Sequence, residues 1–436
     1  MTASSALLTD RYELTMLDAA MRAGTHDREC VFEVFARSLP GRRRYGIVAG
    51  IGRLLESITQ FRFGDAELSW LRENHVVGAD ALDFLADYRF TGDIRGYREG
   101  EVYFPGSPLL VVQGTFAEAV LLETLTLSVL NYDSAIATAA ARMVSAAGSR
   151  PVSEMGSRRT GEHSAVAAAR AAWIAGFAAT SNLEAGRSWS VPTMGTSAHA
   201  FTLLHDSEEQ AFAAQVDAFG SGTTLLVDTF DVPTAVRRAV EIAGPELGAV
   251  RIDSGDLPIV VAEVRALLDE LGATKTRITV TNDLDEYGIA TLAASPVNAY
   301  GVGTSVVTGS GQPAAGMVYK LVAHRDDAGD WVSVAKRSAS KVSRGGIKHA
   351  FRQLSAEGIA IAEIVKIDTD GGVPATAGDE RALHVPLVDA GVADDQWLGS
   401  SGTARAREHR EHVVAELPRD AFRLSSGDPV LSVRYE

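Results

Sequence analysis

The sequence predicts an α/β protein whose central part closes into a barrel, and three observations lead there. Short β-rich runs alternate with helical patterns from Pro151 to about Val322. The clearest runs begin at Thr223, Ala249, Arg277 and Asn298, with starts 26, 28 and 21 residues apart, the length of one strand, one helix and two loops. Polar residues, carboxylates above all, follow these runs at what would be their carboxyl ends, where parallel α/β sheets build their active sites.

Each element has its own signal. Residues 1–116 mix helical patterns with turns such as Leu39-Pro40-Gly41 and Phe104-Pro105-Gly106-Ser107-Pro108, which predicts an N-terminal α+β domain. From Ala117 to Ala147 an apolar stripe through Val120, Leu121, Leu125, Leu127 and Leu130 predicts helix, with Gly148 as its stop. This helical stretch opens the barrel domain, placed at 117–325. Its candidate strands lie near Val152, at Phe177 to Thr180, Val191 to Met194, Thr223 to Val227, Ala249 to Ile252, Arg277 to Val280, Asn298 to Val302 and Met317 to Val322. Eight strands in series favour a closed barrel over an open sheet. Between two of them, Leu257 to Leu271 sets Val260, Val264, Leu267, Leu268 and Leu271 on one helical face, with Pro258 in the first turn and Gly272 after the last. The remainder, 326–436, begins with a hairpin-like segment and a basic loop and continues in irregular strands, a β-rich region expected to pack on the N-terminal domain.

Composition bounds the function. The chain has 436 residues, 41 Lys and Arg against 56 Asp and Glu, and a net charge of −15; 46% is hydrophobic and 22% charged. That mixture builds two or three globular domains and rules out global disorder. The negative field disfavours nucleic acid and anionic membrane surfaces. Arg42-Arg43-Arg44 and the Arg405, Arg407, Arg410 group are read as solvated faces. A single cysteine, Cys30, and an opening decapeptide without a basic or apolar leader pattern point to a reducing cytoplasm. No apolar run approaches the ~18 residues of a membrane span, so a soluble protein is expected.

The chemistry clusters after the strands. Asp228-Thr229-Phe230-Asp231, Asp253-Ser254-Gly255-Asp256 and Thr281-Asn282-Asp283 follow three successive runs. Any one of these residues can cap the next helix, but capping needs one residue per helix and three doublets exceed that need. Val302-Gly303-Thr304-Ser305 follows the seventh candidate strand, where barrels bind phosphate on backbone N–H groups. His199 ends the small-residue loop Pro192-Thr193-Met194-Gly195-Thr196-Ser197-Ala198, whose slim side chains let a ligand reach the imidazole. A lone histidine is more often structural; one that accepts a phosphoryl group needs its second nitrogen held, and Asp228 is placed to do so. Arg158, Arg159 and Arg251 bring bidentate positive charge to a rim of carboxylates, which they could also merely neutralise. No G-x-x-x-x-G-K-[ST] loop and no Cys/His cluster with metal spacing occurs. The residue types suit a phosphorylated, Mg²⁺-accompanied ligand and an anionic co-substrate.

Five motifs occur in order: Leu8-Thr9-Asp10-Arg11-Tyr12-Glu13-Leu14-Thr15-Met16, Glu154-Met155-Gly156-Ser157-Arg158-Arg159, Gly195-Thr196-Ser197-Ala198-His199, Arg251-Ile252-Asp253-Ser254-Gly255-Asp256-Leu257 and Gly301-Val302-Gly303-Thr304-Ser305. Through them the chain resembles the nicotinate phosphoribosyltransferase family, a group of type II phosphoribosyltransferases, over nearly its whole length. The resemblance implies an irregular TIM-like α/β barrel beside the N-terminal α+β domain. It implies transfer of a phosphoribosyl group from 5-phosphoribosyl 1-pyrophosphate (PRPP) to nicotinate, with ATP as co-substrate, Mg²⁺ as cofactor and a phosphorylated histidine as the coupling device. On that basis His199 is the phospho-acceptor and Asp228 its orienting carboxylate. Tyr12, Met155, Asn182, Thr196 and Arg251 fall on nicotinate, and Arg158, Asp253, Asp283, Gly303 and Thr304 on PRPP. Tyr12 would come from the neighbouring subunit of a homodimer with shared sites.

Two departures stand out. Met155 occupies a place where many relatives have Phe, and the lysine-rich loop after the barrel reads Lys336-Arg337-Ser338-Ala339-Ser340-Lys341-Val342-Ser343-Arg344-Gly345-Gly346. The nicotinamide-using relative carries aspartate near Asn182, and a carboxylate there would repel nicotinate, so the acid is the expected substrate. The quinolinate-decarboxylating relative is shorter and lacks the His199 loop. A non-catalytic phosphoribosyl-ligand sensor on the same fold is the remaining alternative, and it predicts loss of His199 or the rim aspartates, all of which are present.

Overall fold

The six strands of the parallel sheet are short, and their apolar residues are buried, as in a sheet covered by helices. They lie in one of two compact units into which the chain divides: Ala139–Gly311, and Met1–Thr138 together with Gln312–Glu436. The structure, a computed structural model, describes residues 4–336, 344–368, 372, 374 and 376–436.

In Ala139–Gly311 the strands are β1 (Val152–Glu154), β2 (Ala179–Thr180), β3 (Thr224–Leu226), β4 (Ala249–Ile252), β5 (Arg277–Val280) and β6 (Ala299–Val302). All pair in parallel, in the order β2-β1-β6-β5-β4-β3. Val250, Ile252, Ile278, Val280, Leu225 and Leu226 form their fully buried interior. The intervening helices include α1 (Glu162–Ile174), α2 (Leu183–Trp189), α3 (His199–Leu204), α4 (Glu208–Phe219), α5 (Val232–Ala243), α6 (Leu257–Glu270), α7 (Glu286–Thr291) and α8 (Thr304–Val307). The predicted helix after Asp256 is α6, with Val261, Val264 and Leu268 on its buried face.

Two strand predictions are corrected. Val191 to Met194 contributes only an isolated parallel bridge, Thr180 to Thr193. Pro192 offers its carbonyl to the Thr180 N–H at 2.9 Å but has no N–H to extend a ladder. Met317 to Val322 is not a barrel strand: Met317–Arg325 pairs antiparallel with Glu29–Ala36 in the other unit, with Tyr319 opposite Val34. The parallel sheet is therefore a curled half-barrel, open between Thr193 and β3, and the predicted closed barrel is replaced by that partial one.

The other unit is built on a seven-stranded antiparallel sheet in the order 331–333, 317–325, 29–36, 110–115, 93–97, 384–389, 392–393. Strands from the start and end of the chain thus share one sheet, because their apolar side chains, Phe32, Val34, Met317 and Tyr319 among them, meet in the same core. Phe32 and Tyr319 stack across it with ring centroids 4.9 Å apart. A second sheet orders Glu380–Ala382, Ile347–Leu354, Ala360–Asp368 and Ser432–Tyr435. Arg352, with no exposed side-chain surface, pairs there with Glu363 and with Glu101. Among the described residues no helix is long and apolar enough to cross a membrane. Residues 337–343 of the altered basic loop lie outside the described residues.

Candidate active site

Helix capping accounts for Asp231 and Asp285 near the strand ends, whereas Asp256 stands at the N-cap position of α6 without a side-chain cap bond. Asp231 caps α5, accepting from the Thr234 N–H at 3.0 Å. Asp285 caps α7, accepting from Tyr287 at 2.9 Å and Gly288 at 2.8 Å. Asp228, Asp253 and Asp283 cap nothing and gather at the carboxyl ends of β3, β4 and β5.

Asp253 and Asp283 line a cavity of about 210 Å³ with Met155, Arg158, Arg159, Arg251, Thr281, Asn282, Gly301, Gly303 and Thr304. Six strand ends or the turns that follow them are expected to converge in such a sheet; here β1, β4, β5 and β6 do so. A larger cavity, about 610 Å³, lies in the other unit beside Arg98, Trp397, Arg405 and His409, but it holds none of the residues expected to act in catalysis or substrate binding. Chemistry, not volume, marks the smaller one as the site.

The β6 end is shaped by glycine. A Cβ on Gly301 would lie 2.6 Å from Thr281 Cγ2 and 2.7 Å from the Met155 sulfur, and one on Gly303 would lie 3.2 Å from the Met155 carbonyl oxygen. These positions must be bare for the β1 turn and β5 to meet. Opposite them, Asn282 and Asp283 hold left-handed backbone, with φ of 95° and 44°. Non-glycine residues in that region carry strain of about 1–3 kcal/mol, the kind stored at functional sites.

Arg251, at the end of β4, is held on every side. Its Nε donates to Thr281 Oγ1 at 3.0 Å, and its Nη1 donates to Thr196 Oγ1 at 3.1 Å and to the Ser197 carbonyl at 3.2 Å. Its Nη2 stands 3.4 Å from Asp253 Oδ1. The loop before α3 and the end of β4 are thereby tied together. His199, first residue of α3, shares a hydrogen bond between Nδ1 and Thr229 Oγ1 at 3.1 Å. Its Nε2 lies 4.0 Å from Asp228 Oδ1 and 3.9 Å from Asp253 Oδ2. Asp228 is brought beside the imidazole, as expected, but the hydrogen bond to the ring comes from Thr229. The Asp228 Oδ2 instead accepts from the Asp253 N–H at 2.8 Å and from Ser254 Oγ at 2.6 Å, while its buried Oδ1 has no hydrogen-bond partner among the described residues.

Asn182 does not line the cavity. Its Oδ1 accepts from the Ala185 N–H and its Nδ2 donates to Ser157 Oγ, both at 3.0 Å, so it caps α2 and clamps the turn that carries Arg158 and Arg159. Behind that turn the buried Glu154 accepts from Thr180 Oγ1 at 2.5 Å and from the Gly156 N–H. Burial pushes its carboxyl above the usual range. Tyr12 sits in the other unit on the helix Arg11–Ala23, 45% exposed, with Glu123 close enough to raise its phenol further than burial already does.

The residues that sequence reasoning passed over are Thr281 and Thr229, which hold Arg251, Asp253 and His199. Both were visible as polar strand-end residues, yet nothing in their identity distinguished a link between side chains from a turn former.

Residues 7–131 match the nicotinate phosphoribosyltransferase (NAPRTase) N-terminal domain. The chain is 55% identical over 436 residues to the nicotinate phosphoribosyltransferase pncB1 of Mycobacterium tuberculosis, covering 98% of this chain and 94% of the relative. It belongs to the nicotinate phosphoribosyltransferase family. The nicotinate phosphoribosyltransferase of Bacillus subtilis is 37% identical over 361 residues, 80% of this chain and 73% of that one. Among solved structures, human nicotinic acid phosphoribosyltransferase superposes with a TM-score of 0.81 at 25% identity, covering 98% of this chain and 97% of the human one. Membership in the family therefore extends through both units.

Proposed function

We propose that this chain joins nicotinate to PRPP, giving nicotinate mononucleotide and diphosphate in NAD biosynthesis and salvage, with hydrolysis of ATP to ADP and phosphate coupled through a phosphorylated His199. The observation that carries the reading is one cavity lined by Arg158, Arg159 and Arg251 together with Asp253 and Asp283, in a chain 55% identical to a named nicotinate phosphoribosyltransferase over its length. Neither a nicotinamide substrate nor a sensor role has a comparable observation behind it.

In the reaction the pyridine nitrogen forms a bond to the anomeric carbon as the bond to diphosphate breaks. The transition state has positive charge on the ribose and growing negative charge on the leaving group, so groups matched to those charges accelerate it. Arg158 and the Gly303–Thr304 backbone bind the phosphates. Arg251 keeps an Nη2 donor for the nicotinate carboxylate, with Thr196 beside it, while Met155 offers a polarizable contact to the ring. Tyr12 stacks on nicotinate from the second subunit of a homodimer. Its exposure supports that role, since an aromatic half in water is one left to be covered.

The donor set fits Mg²⁺ in a particular way. Among the described residues no three His, Cys, Asp or Glu side chains are placed to hold a metal by themselves. Mg²⁺ ordinarily binds through one or two carboxylates plus substrate phosphates, and Asp253 and Asp283 would hold it in that manner. Bound there, it supplies charge neutralisation for the departing diphosphate. His199 takes the phosphoryl group of ATP at Nε2, the nitrogen left without a hydrogen bond by Thr229. A cytoplasmic location agrees with the single cysteine, Cys30, which is free and buried. Incubation with nicotinate, PRPP, ATP and Mg²⁺, and chromatographic identification of the mononucleotide, tests the assignment.

A further inference from the structure

The Thr281 hydroxyl stands between the two charged groups to which the proposed reaction assigns different substrates. It donates to Asp253 Oδ1 and accepts from Arg251 Nε. A threonine hydroxyl has one hydrogen to give, and here that hydrogen and a lone pair are both engaged. The side chain cannot easily turn away. Thr281 is 4% exposed, its Cγ2 is the atom that a Cβ on Gly301 would strike, and a β-branched residue has few χ1 choices.

We infer that Thr281 is a positioning residue that couples the nicotinate site to the PRPP site by holding Arg251 and Asp253 apart and in register. Without the hydroxyl, Arg251 Nη2, already 3.4 Å from Asp253 Oδ1, closes on that carboxylate as a direct pair. The donor meant for nicotinate is then spent on Asp253, and Asp253 is drawn away from His199 and the phosphoribosyl ligand. This rests on the reading of the site given above.

The test is steady-state kinetics of the intact protein, with nicotinate and PRPP varied separately, for the wild type and for Thr281→Val, Thr281→Ser and Thr281→Ala. Hydrogen bonds to charged groups set the scale. The expected results are that Thr281→Val raises the KM for nicotinate about 10- to 100-fold and raises that for PRPP less. Thr281→Ser, which keeps the hydroxyl, stays within about threefold of wild type. Should Thr281→Val not fold, the Ser and Ala variants decide: a hydroxyl role predicts that Ser is active and Ala impaired, whereas a packing role of the methyl predicts equal impairment. Equal impairment, or a folded Thr281→Val variant with unchanged KM values, overturns the inference. An inactive wild type instead refutes the functional reading on which it stands.

Discussion

His199 and Thr229 share a 3.1 Å hydrogen bond through the imidazole Nδ1, which leaves Nε2 facing two carboxylates, Asp228 at 4.0 Å and Asp253 at 3.9 Å. The ring is thus fixed by a neutral partner, and the negative charges are kept for the nitrogen on which the phosphoryl group is proposed to travel. Replacing His199 with Ala is expected to abolish ATP hydrolysis coupled to transfer while slow, ATP-independent formation of mononucleotide continues; ADP release and product are followed together. Thr229→Val is expected to slow the coupled reaction about tenfold, the scale of one hydrogen bond of 1–1.5 kcal/mol, and Thr229→Ser to restore it. Full ATP coupling in His199→Ala would show that the phosphoryl group goes elsewhere.

Tyr12 is half in water on its own unit, and the proposal places it against nicotinate in the partner's site. Tyr12→Ala is expected to raise the KM for nicotinate by about tenfold with a much smaller change for PRPP, an aromatic contact being worth about 0.5–1.5 kcal/mol. Equal losses for both substrates count against stacking.

Asn182 lies outside the cavity lining, and its amide is engaged at both ends, by the Ala185 N–H and Ser157 Oγ. Asn182→Ala is expected to cost about 1 kcal/mol of stability through the lost cap, read as a shift in a denaturant midpoint. Asn182→Asp keeps the cap, and loses only the donor to Ser157. Its preference for nicotinate over nicotinamide should persist; a switch to the amide would place Asn182 in direct contact with the ring substituent.

Two imidazoles of the unit that contains both chain ends set a pH dependence. Burial, with Arg95 as a neighbouring charge, pushes His384 down to about 3 and His349 down to about 4; Asp368 opposes this at His349, as does the hydrogen bond to Pro108 at His384. Both stay neutral in the fold while the unfolded chain takes up protons below about 6.5. Stability is therefore present above pH 6.5 and is lost as the pH falls toward 4. The expected loss by pH 5 is about 2 kcal/mol for each imidazole. Urea unfolding at pH 7.5 and 5.0 measures it, and His384→Gln, whose amide N–H can still reach the Pro108 carbonyl, should remove roughly half of the slope. An unchanged slope would locate the protons elsewhere.

The parallel strands were readable because each is a short apolar run followed by polar residues, and β4 and β5 occupy the predicted Ala249–Ile252 and Arg277–Val280. Met317–Arg325 was misplaced because an apolar run carries no label for its partner. Its pairing with Glu29–Ala36 joins residues nearly 300 positions apart, and only the shared core around Phe32 and Tyr319 decides it. Closure of the barrel failed at Pro192 for a reason that is local and was readable, the missing N–H. In the site, charged residues announced themselves by type and position. The hydroxyls of Thr229 and Thr281 did not, since their work depends on distances between strands that sequence spacing leaves open.

The central claim is that the Arg251 cavity receives the acid rather than the amide. The most direct measurement is kcat/KM for nicotinate and for nicotinamide under the same PRPP, ATP and Mg²⁺, with product and ADP resolved by chromatography. The account predicts nicotinate mononucleotide with accompanying ADP and a preference of at least about 100-fold for the acid, the scale of an unpaired buried charge. Comparable or faster turnover of nicotinamide would contradict it.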